Sequence, residues 1–225
     1  MADYRTQRLN MVESQVRPSD VTDRRLMRAM QDLPRELFLP EWGRTVAYAD
    51  EDVPVSRGSD RLPPRRLLAP RTLAKLIQAA DILERDQVLD VGCATGYSSA
   101  VLSRLAAEVV GLEEDAALAA AARAALGSLK MPNVRIEQGV LAQGWPAGAP
   151  YDVIMVNGGL SDLPNGLLSQ LKDGGRLVCI FSTAAGQFGT AQVHTNRGGS
   201  IGGRIIFDAS APSLPGFDVV AGFSL

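Results

Sequence analysis

From Leu68 onward the chain alternates short continuous apolar runs with longer segments whose apolar positions recur every three or four residues. The first rhythm predicts strands and the second helices. Residues 71–83 read as a helix with Leu73, Leu76, Ile77 and Ala80 on one side, and Gln87–Val91 as a strand. A helix over 97–106, a strand over 109–112 and an alanine-rich helix over 116–129 follow, the last on propensity alone. Residues 134–136 and 151–156 read as strands, the second almost wholly apolar, as a strand covered on both faces is. A helix is expected over 163–171, stopped by Asp173-Gly174-Gly175, then a strand over 176–181. Residues 191–195, the turn Gly198-Gly199-Ser200 and residues 201–207 read as a hairpin. This alternation implies a parallel sheet with helices on both faces.

The first 67 residues differ. Asp20-Val21-Thr22-Asp23 offers a helix start, and Leu26, Met27, Met30 and Leu33 then form one apolar face, punctuated by Pro34 and Pro40. Residues 50–70 are rich in proline and arginine, which predicts a structured loop or lid rather than a flexible linker. No internal repeat is present.

Composition narrows the classes. An apolar share of 46% supports a sizeable core, and a net charge of -2 exerts no global pull toward nucleic acid, although Arg61, Arg65, Arg66 and Arg71 could form a local basic patch. Two cysteines and one histidine are too few for a disulfide framework or a Cys/His metal cluster, so no metal is expected. The polar N-terminus does not resemble a secretory leader, and no apolar run approaches the ~20 residues of a membrane span. A cytoplasmic location without membrane association is the expectation. Oligomeric state is not legible.

Chemistry concentrates at Val88-Leu89-Asp90-Val91-Gly92-Cys93-Ala94-Thr95-Gly96-Tyr97-Ser98-Ser99, a buried strand ending in an acid, a glycine turn and a helix start. Such a turn lets backbone N–H groups approach a nucleotide-like ligand. A second strand ends in Glu113-Glu114 at the distance where a ribose-binding carboxylate is expected. The spacing Gly92, Ala94, Gly96 leaves Ser98 or Ser99 at the final glycine position of a dinucleotide turn, and Asp90 would repel a pyrophosphate. S-adenosylmethionine carries an ammonium and a sulfonium instead, so Asp90 favours the methyl donor. Glu113 would accept the two ribose hydroxyls.

The stretch from Val88 to Tyr97 resembles motif I of class I S-adenosylmethionine-dependent methyltransferases, and the wider chain resembles the protein-L-isoaspartate O-methyltransferase family. The likeness runs from Met11-Val12-Glu13-Ser14-Gln15 through Leu33-Pro34-Arg35-Glu36-Leu37-Phe38-Leu39-Pro40 and Ala47-Tyr48-Ala49-Asp50. It continues in Gly144-Trp145-Pro146, Ala149-Pro150-Tyr151-Asp152 and Gln170-Leu171-Lys172-Asp173-Gly174-Gly175-Arg176-Leu177. It implies a Rossmann-like α/β fold with a mostly parallel seven-stranded sheet, an antiparallel C-terminal hairpin and an N-terminal helical extension. Residues 1–67 would then form that extension and the substrate-side loop, and 68–225 the donor-binding domain. The resemblance implies donor contacts from Asp90, Gly92, Cys93, Ala94, Gly96, Tyr97, Glu113, Glu114, Gly139, Val140 and Asn157.

Three positions depart from the family. Its threonine and serine on the acceptor side fall at Arg66 and Leu68 when Pro70 is aligned, or at Leu62 and Pro64 without a gap; either way the hydroxyls are missing. Val140 stands where an aspartate would face the adenine amino group, and the strand over 151–156 leads into Asn157-Gly158-Gly159. Arg66 or Arg65 could hold an anionic acceptor by a bidentate contact. The expectation is an enzyme that esterifies isoaspartyl carboxylates of damaged proteins or peptides using S-adenosylmethionine, with no catalytic residue assigned. Two alternatives are the same fold with another acceptor and a non-catalytic member that binds a partner.

Overall fold

A computed structural model describes residues 3–58, 64–182 and 188–217. Seven strands make one sheet: β3 (Gln87–Val91), β4 (Glu108–Glu113), β5 (Val134–Gln138), β6 (Tyr151–Leu160), β7 (Leu171–Ser182), β8 (Gly189–Arg197) and β9 (Ser200–Asp208), in the order β5-β4-β3-β6-β7-β8-β9. The first five run parallel, and β8 and β9 add as an antiparallel hairpin. A separate two-stranded ribbon, β1 (Val53–Pro54) with β2 (Arg66–Leu67), sits inside the arginine-rich segment. This is the class I methyltransferase fold expected from the sequence.

The strands send alternate side chains into two cores. Val88, Val109, Val153, Met155 and Val178 face one, while Leu89, Val91, Val110, Leu112, Ile154 and Leu177 face the other. All are buried, the reason these strands read as continuous apolar runs. The first core also takes in the N-terminal helices α1 (Tyr4–Met11) and α2 (Arg24–Asp32), together with α3 (Pro70–Ala79), α4 (Tyr97–Ser103) and α5 (Ala116–Ser128). Helix α2 begins where the sequence indicated: the Asp23 carboxylate accepts the N–H groups of Arg25 and Leu26 at 2.8 and 3.3 Å. Asp115 caps α5 in the same way.

One expectation is corrected. The helix over 163–171 shrinks to α6 (Asn165–Leu168), and Asp173-Gly174-Gly175 lies inside β7, not between a helix and a strand. Tyr151 pairs with Leu171 and Val153 already with Arg176, so four residues of β7 lie between the two pairs where β6 has one. Gly174, one of the four, has φ +77°. Strand β6 in turn runs past 156 to Leu160, with a bulge between Met155 and Gly159. Bulges re-aim side chains, and this one turns Asn157 inward.

The sheet order reverses at β3, whose neighbours are β4 and β6. Ligands of such sheets bind outside the carboxyl ends of the strands at that reversal. Asp90, Glu113 and Asn157 all lie there. Among the described residues, no helix is long and apolar enough to cross a membrane.

Candidate functional site

The turn after β3 needs three left-handed residues in five: Gly92 at φ +72°, Ala94 at +51° and Gly96 at +91°. Glycine is free of the steric cost at the first and last. Ala94 carries that cost, about 1–2 kcal/mol, and its N–H donates to Glu113 Oε2 at 2.8 Å, which holds the conformation. At Gly96 a Cβ would come within 3.1 Å of Ala122 Cβ, so glycine there lets α5 pack on the turn.

Asp90 is fully buried and, among the described residues, receives only neutral donors. The hydroxyls of Ser98 and Ser99 reach its Oδ2 at 2.7 and 2.5 Å, and the Asn157 amide reaches its Oδ1. Burial pushes its carboxyl up to about 6 against the pull of those hydrogen bonds. The two serines stand on the first turn of α4, aimed back at the strand end.

Glu113 is also fully buried but is held by charge. Arg65, 48 residues earlier, places Nη1 2.9 Å from Oε1 and Nη2 3.0 Å from Oε2, a bidentate pair, and Nη2 also reaches the Gly92 carbonyl at 3.1 Å. The N–H groups of Glu114 and Asp115 donate to Oε1 at 3.0 and 3.1 Å. Leu214 lies beside this pair. A Cβ built on Gly92 would meet Leu214 Cδ1 at 2.9 Å and Arg65 Nη2 at 3.2 Å, and one on Gly158 would meet Leu214 Cγ at 2.5 Å.

The other sequence-derived residues divide. Gly139 and Val140 follow β5 next to Glu113: the Gly139 N–H donates to the Glu113 carbonyl at 3.1 Å, and Val140 is exposed. Glu114 is exposed and contributes its backbone. Cys93 is buried, and burial pushes its thiol up, so it is packing rather than a reactive group. Tyr97 turns away from the strand end, with the Arg35 guanidinium 4.8 Å over its ring and Phe38 at 5.5 Å. Leu68 is buried, and its carbonyl accepts Arg35 Nη2 at 2.9 Å. Arg66 donates to the Asp52 carbonyl at 3.1 Å. Arg61 and Leu62 lie outside the described residues.

The sequence profile of protein-L-isoaspartate(D-aspartate) O-methyltransferase matches residues 6–203. The chain belongs to that family. It is 41% identical over 175 residues to protein-L-isoaspartate O-methyltransferase 1 of Rhodopseudomonas palustris (strain HaA2), covering 78% of this chain and 69% of that one. It is 37% identical over 178 residues to the protein-L-isoaspartate O-methyltransferase of Syntrophus aciditrophicus (strain SB), covering 79% of each. A solved protein-L-isoaspartate O-methyltransferase superposes on 95% of this chain and 67% of its own, with a TM-score of 0.82 at 23% identity. A Plasmodium falciparum structure in complex with S-adenosyl-L-homocysteine superposes on 92% of this chain and 97% of its own, with a TM-score of 0.76 at 21% identity. Both likenesses are of fold.

Protein-L-isoaspartate O-methyltransferases are S-adenosylmethionine-dependent enzymes that act on protein substrates. The groups in this chain suit that donor: two acids at adjacent strand ends and a turn of left-handed backbone. The space around them does not suit it in this conformation, because Arg65 stands on Glu113 and Leu214 against the turn. Ser98 and Ser99 are the polar partners that motif reading missed, having marked them only as substitutes for a glycine. The Arg65–Glu113 pair left one trace, an arginine-rich loop. Leu214 left none.

Proposed function

We propose that this chain is a methyltransferase that uses S-adenosylmethionine to esterify a carboxylate of a protein or peptide, with the isoaspartyl carboxylate as its acceptor. The observation that carries the reading is Glu113, a fully buried carboxylate whose Oε2 accepts the Ala94 N–H of the glycine turn at the reversal of strand order. An acid so placed suits a diol, and with Asp90 beside it the site favours a cationic donor over a pyrophosphate. Asp90, the turn backbone from Gly92 to Gly96, Glu113 and the 139–140 segment would hold the donor. When bound, it supplies an electrophilic methyl group on its sulfonium.

The acceptor carboxylate is already ionised at neutral pH, so the chain has no general base to provide. Its task is alignment, which can contribute about 7–11 kcal/mol. The division of labour proposed is residues 1–67 on the acceptor side and 68–225 on the donor side. Arg66 is the acceptor-side cation of this reading, half-exposed at the base of the ribbon. A cytoplasmic protein without nucleic-acid partners completes it, in keeping with two buried free thiols, Cys93 and Cys179.

The test is incubation with an isoaspartyl peptide and methyl-labelled donor. Base-labile label in the peptide supports the reading, and a drop of about tenfold or more is expected in Arg66→Ala. Donor binding with no label in that peptide would favour a different acceptor. The buried, hydroxyl-free Leu68 at the family's serine position is the observation that favours that second reading.

A further inference from the structure

We propose that the chain carries an internal competitor for its own donor site: Arg65 holds the ribose-side carboxylate and Leu214 covers the glycine turn, so donor binding requires both to withdraw. The inference rests on the donor reading given above.

The first support is a satisfaction argument. A carboxylate offers about four lone-pair positions. Glu113 already receives five contacts, two from Arg65 and one each from the N–H groups of Ala94, Glu114 and Asp115. The three backbone donors belong to the turn and strand end and cannot leave without dismantling them. Only the Arg65 fork can be exchanged for two ribose hydroxyls. Charge adds to this, since a guanidinium 3.1 Å from the Gly92 carbonyl opposes the approach of a cationic donor.

The second support is steric. Glycines at 92 and 158 would leave backbone open for a ligand, and here Leu214 packs on both. The leucine is 3% exposed, and its segment is tied to the end of β6 by Leu214 N–H to the Gly159 carbonyl at 3.1 Å and Gly159 N–H to the Pro212 carbonyl at 2.8 Å. The cavity lined by Arg65, Leu68, Asn157, Gly158 and Leu214 has about 20 Å³. That is room for a water, not for a nucleoside.

The two parts release differently. The Arg65 backbone is anchored to the ribbon, its N–H on Ser56 Oγ at 2.9 Å and its carbonyl taking the Val55 N–H at 2.8 Å. Its side chain can swing free with the ribbon intact. Leu214 withdraws only if residues 211–217 shift, because the backbone itself is bonded to β6. If nine molecules in ten are closed, the apparent affinity falls about tenfold.

The experiment is calorimetric titration of S-adenosylhomocysteine into wild type, Arg65→Met, Leu214→Ala and the double variant, with thermal unfolding of each. Met keeps the apolar stem and removes the fork. Arg71→Ala is the charge control, since Arg71 pairs with Asp50 on the surface. The expected result is about tenfold tighter binding in Arg65→Met, a smaller gain in Leu214→Ala, the tightest binding in the double variant, and no change in Arg71→Ala. Stopped-flow association to wild type should reach a rate plateau with rising ligand, and that plateau should rise or vanish in the double variant. Equal affinity in wild type and Arg65→Met overturns the competitor while leaving the donor reading intact. Absence of binding in every variant, each with a cooperative unfolding transition, overturns both.

Discussion

Two acids stand near the carboxyl ends of neighbouring parallel strands, and the protein surrounds them differently. Asp90 is surrounded by neutral donors from its own strand–turn–helix unit and from the adjacent β6, and its carboxyl rises to about 6. Glu113 is met by a guanidinium from a remote ribbon and by three backbone N–H groups. Both are wholly buried, so burial alone does not distinguish them. The difference is the charge of the partner. Neutral donors solvate a buried carboxylate without compensating its charge, whereas a bidentate cation does both.

The largest expected effect comes from Glu113→Ala. It strips Arg65 of its counter-charge, orphans three N–H groups and releases the left-handed Ala94, and should cost about 3–5 kcal/mol in urea unfolding. A loss below about 1 kcal/mol would erase the contrast between the two acids.

Asp90→Asn should act in the opposite direction, and with pH. An unfolded aspartate titrates near 3.8 and the buried one near 6. The folded state therefore keeps a proton that the unfolded state has lost in this window. Stability supplied by that proton is complete below pH 3.8 and is lost as pH rises through 6. The amide does not titrate. Its advantage over the wild type should grow from near zero at low pH to ~3 kcal/mol at pH 7, read as the pH dependence of the difference in unfolding free energy. A difference that is flat with pH would place the two acids in the same class.

Ser98→Ala and Ser99→Ala should each cost about 1.5 kcal/mol at pH 7, where the acid is ionised, and less at low pH. A double-mutant cycle with Asp90→Asn measures how much of that loss passes through the acid. The smallest effect is Ala94→Gly, a net change within about 1 kcal/mol, because relief of left-handed strain is offset by a freer unfolded chain. In a Glu113→Ala background the same change should become more stabilising, since the contact that holds Ala94 is gone.

Much of the fold was legible because its rules are local. The short apolar runs at 87–91 and 151–156 read as buried strands, and the hairpin showed itself by its turn glycines. The helix over 163–171 misled because Asp-Gly-Gly serves equally to stop a helix and to turn a bulge, and pairing with Tyr151 and Val153 chose the second. The Tyr97 side chain points away from the strand end for a geometric reason. Successive helical residues are about 100° apart, so a side chain beside the turn can point toward Arg35 while Ser98 and Ser99 reach Asp90.

What the sequence determined by itself is the glycine turn and its setting: strand, acid, glycines, helix start and a second acid at the next strand end, each within one βαβ unit. What only the tertiary structure decided is what stands on those acids. Arg65 reaches Glu113 across 48 residues, and Leu214 arrives from beyond β9 to cover Gly92 and Gly158. Neither contact leaves a periodicity or a spacing, because each joins segments far apart in sequence. Local chemistry wrote the site, and long-range packing set who occupies it.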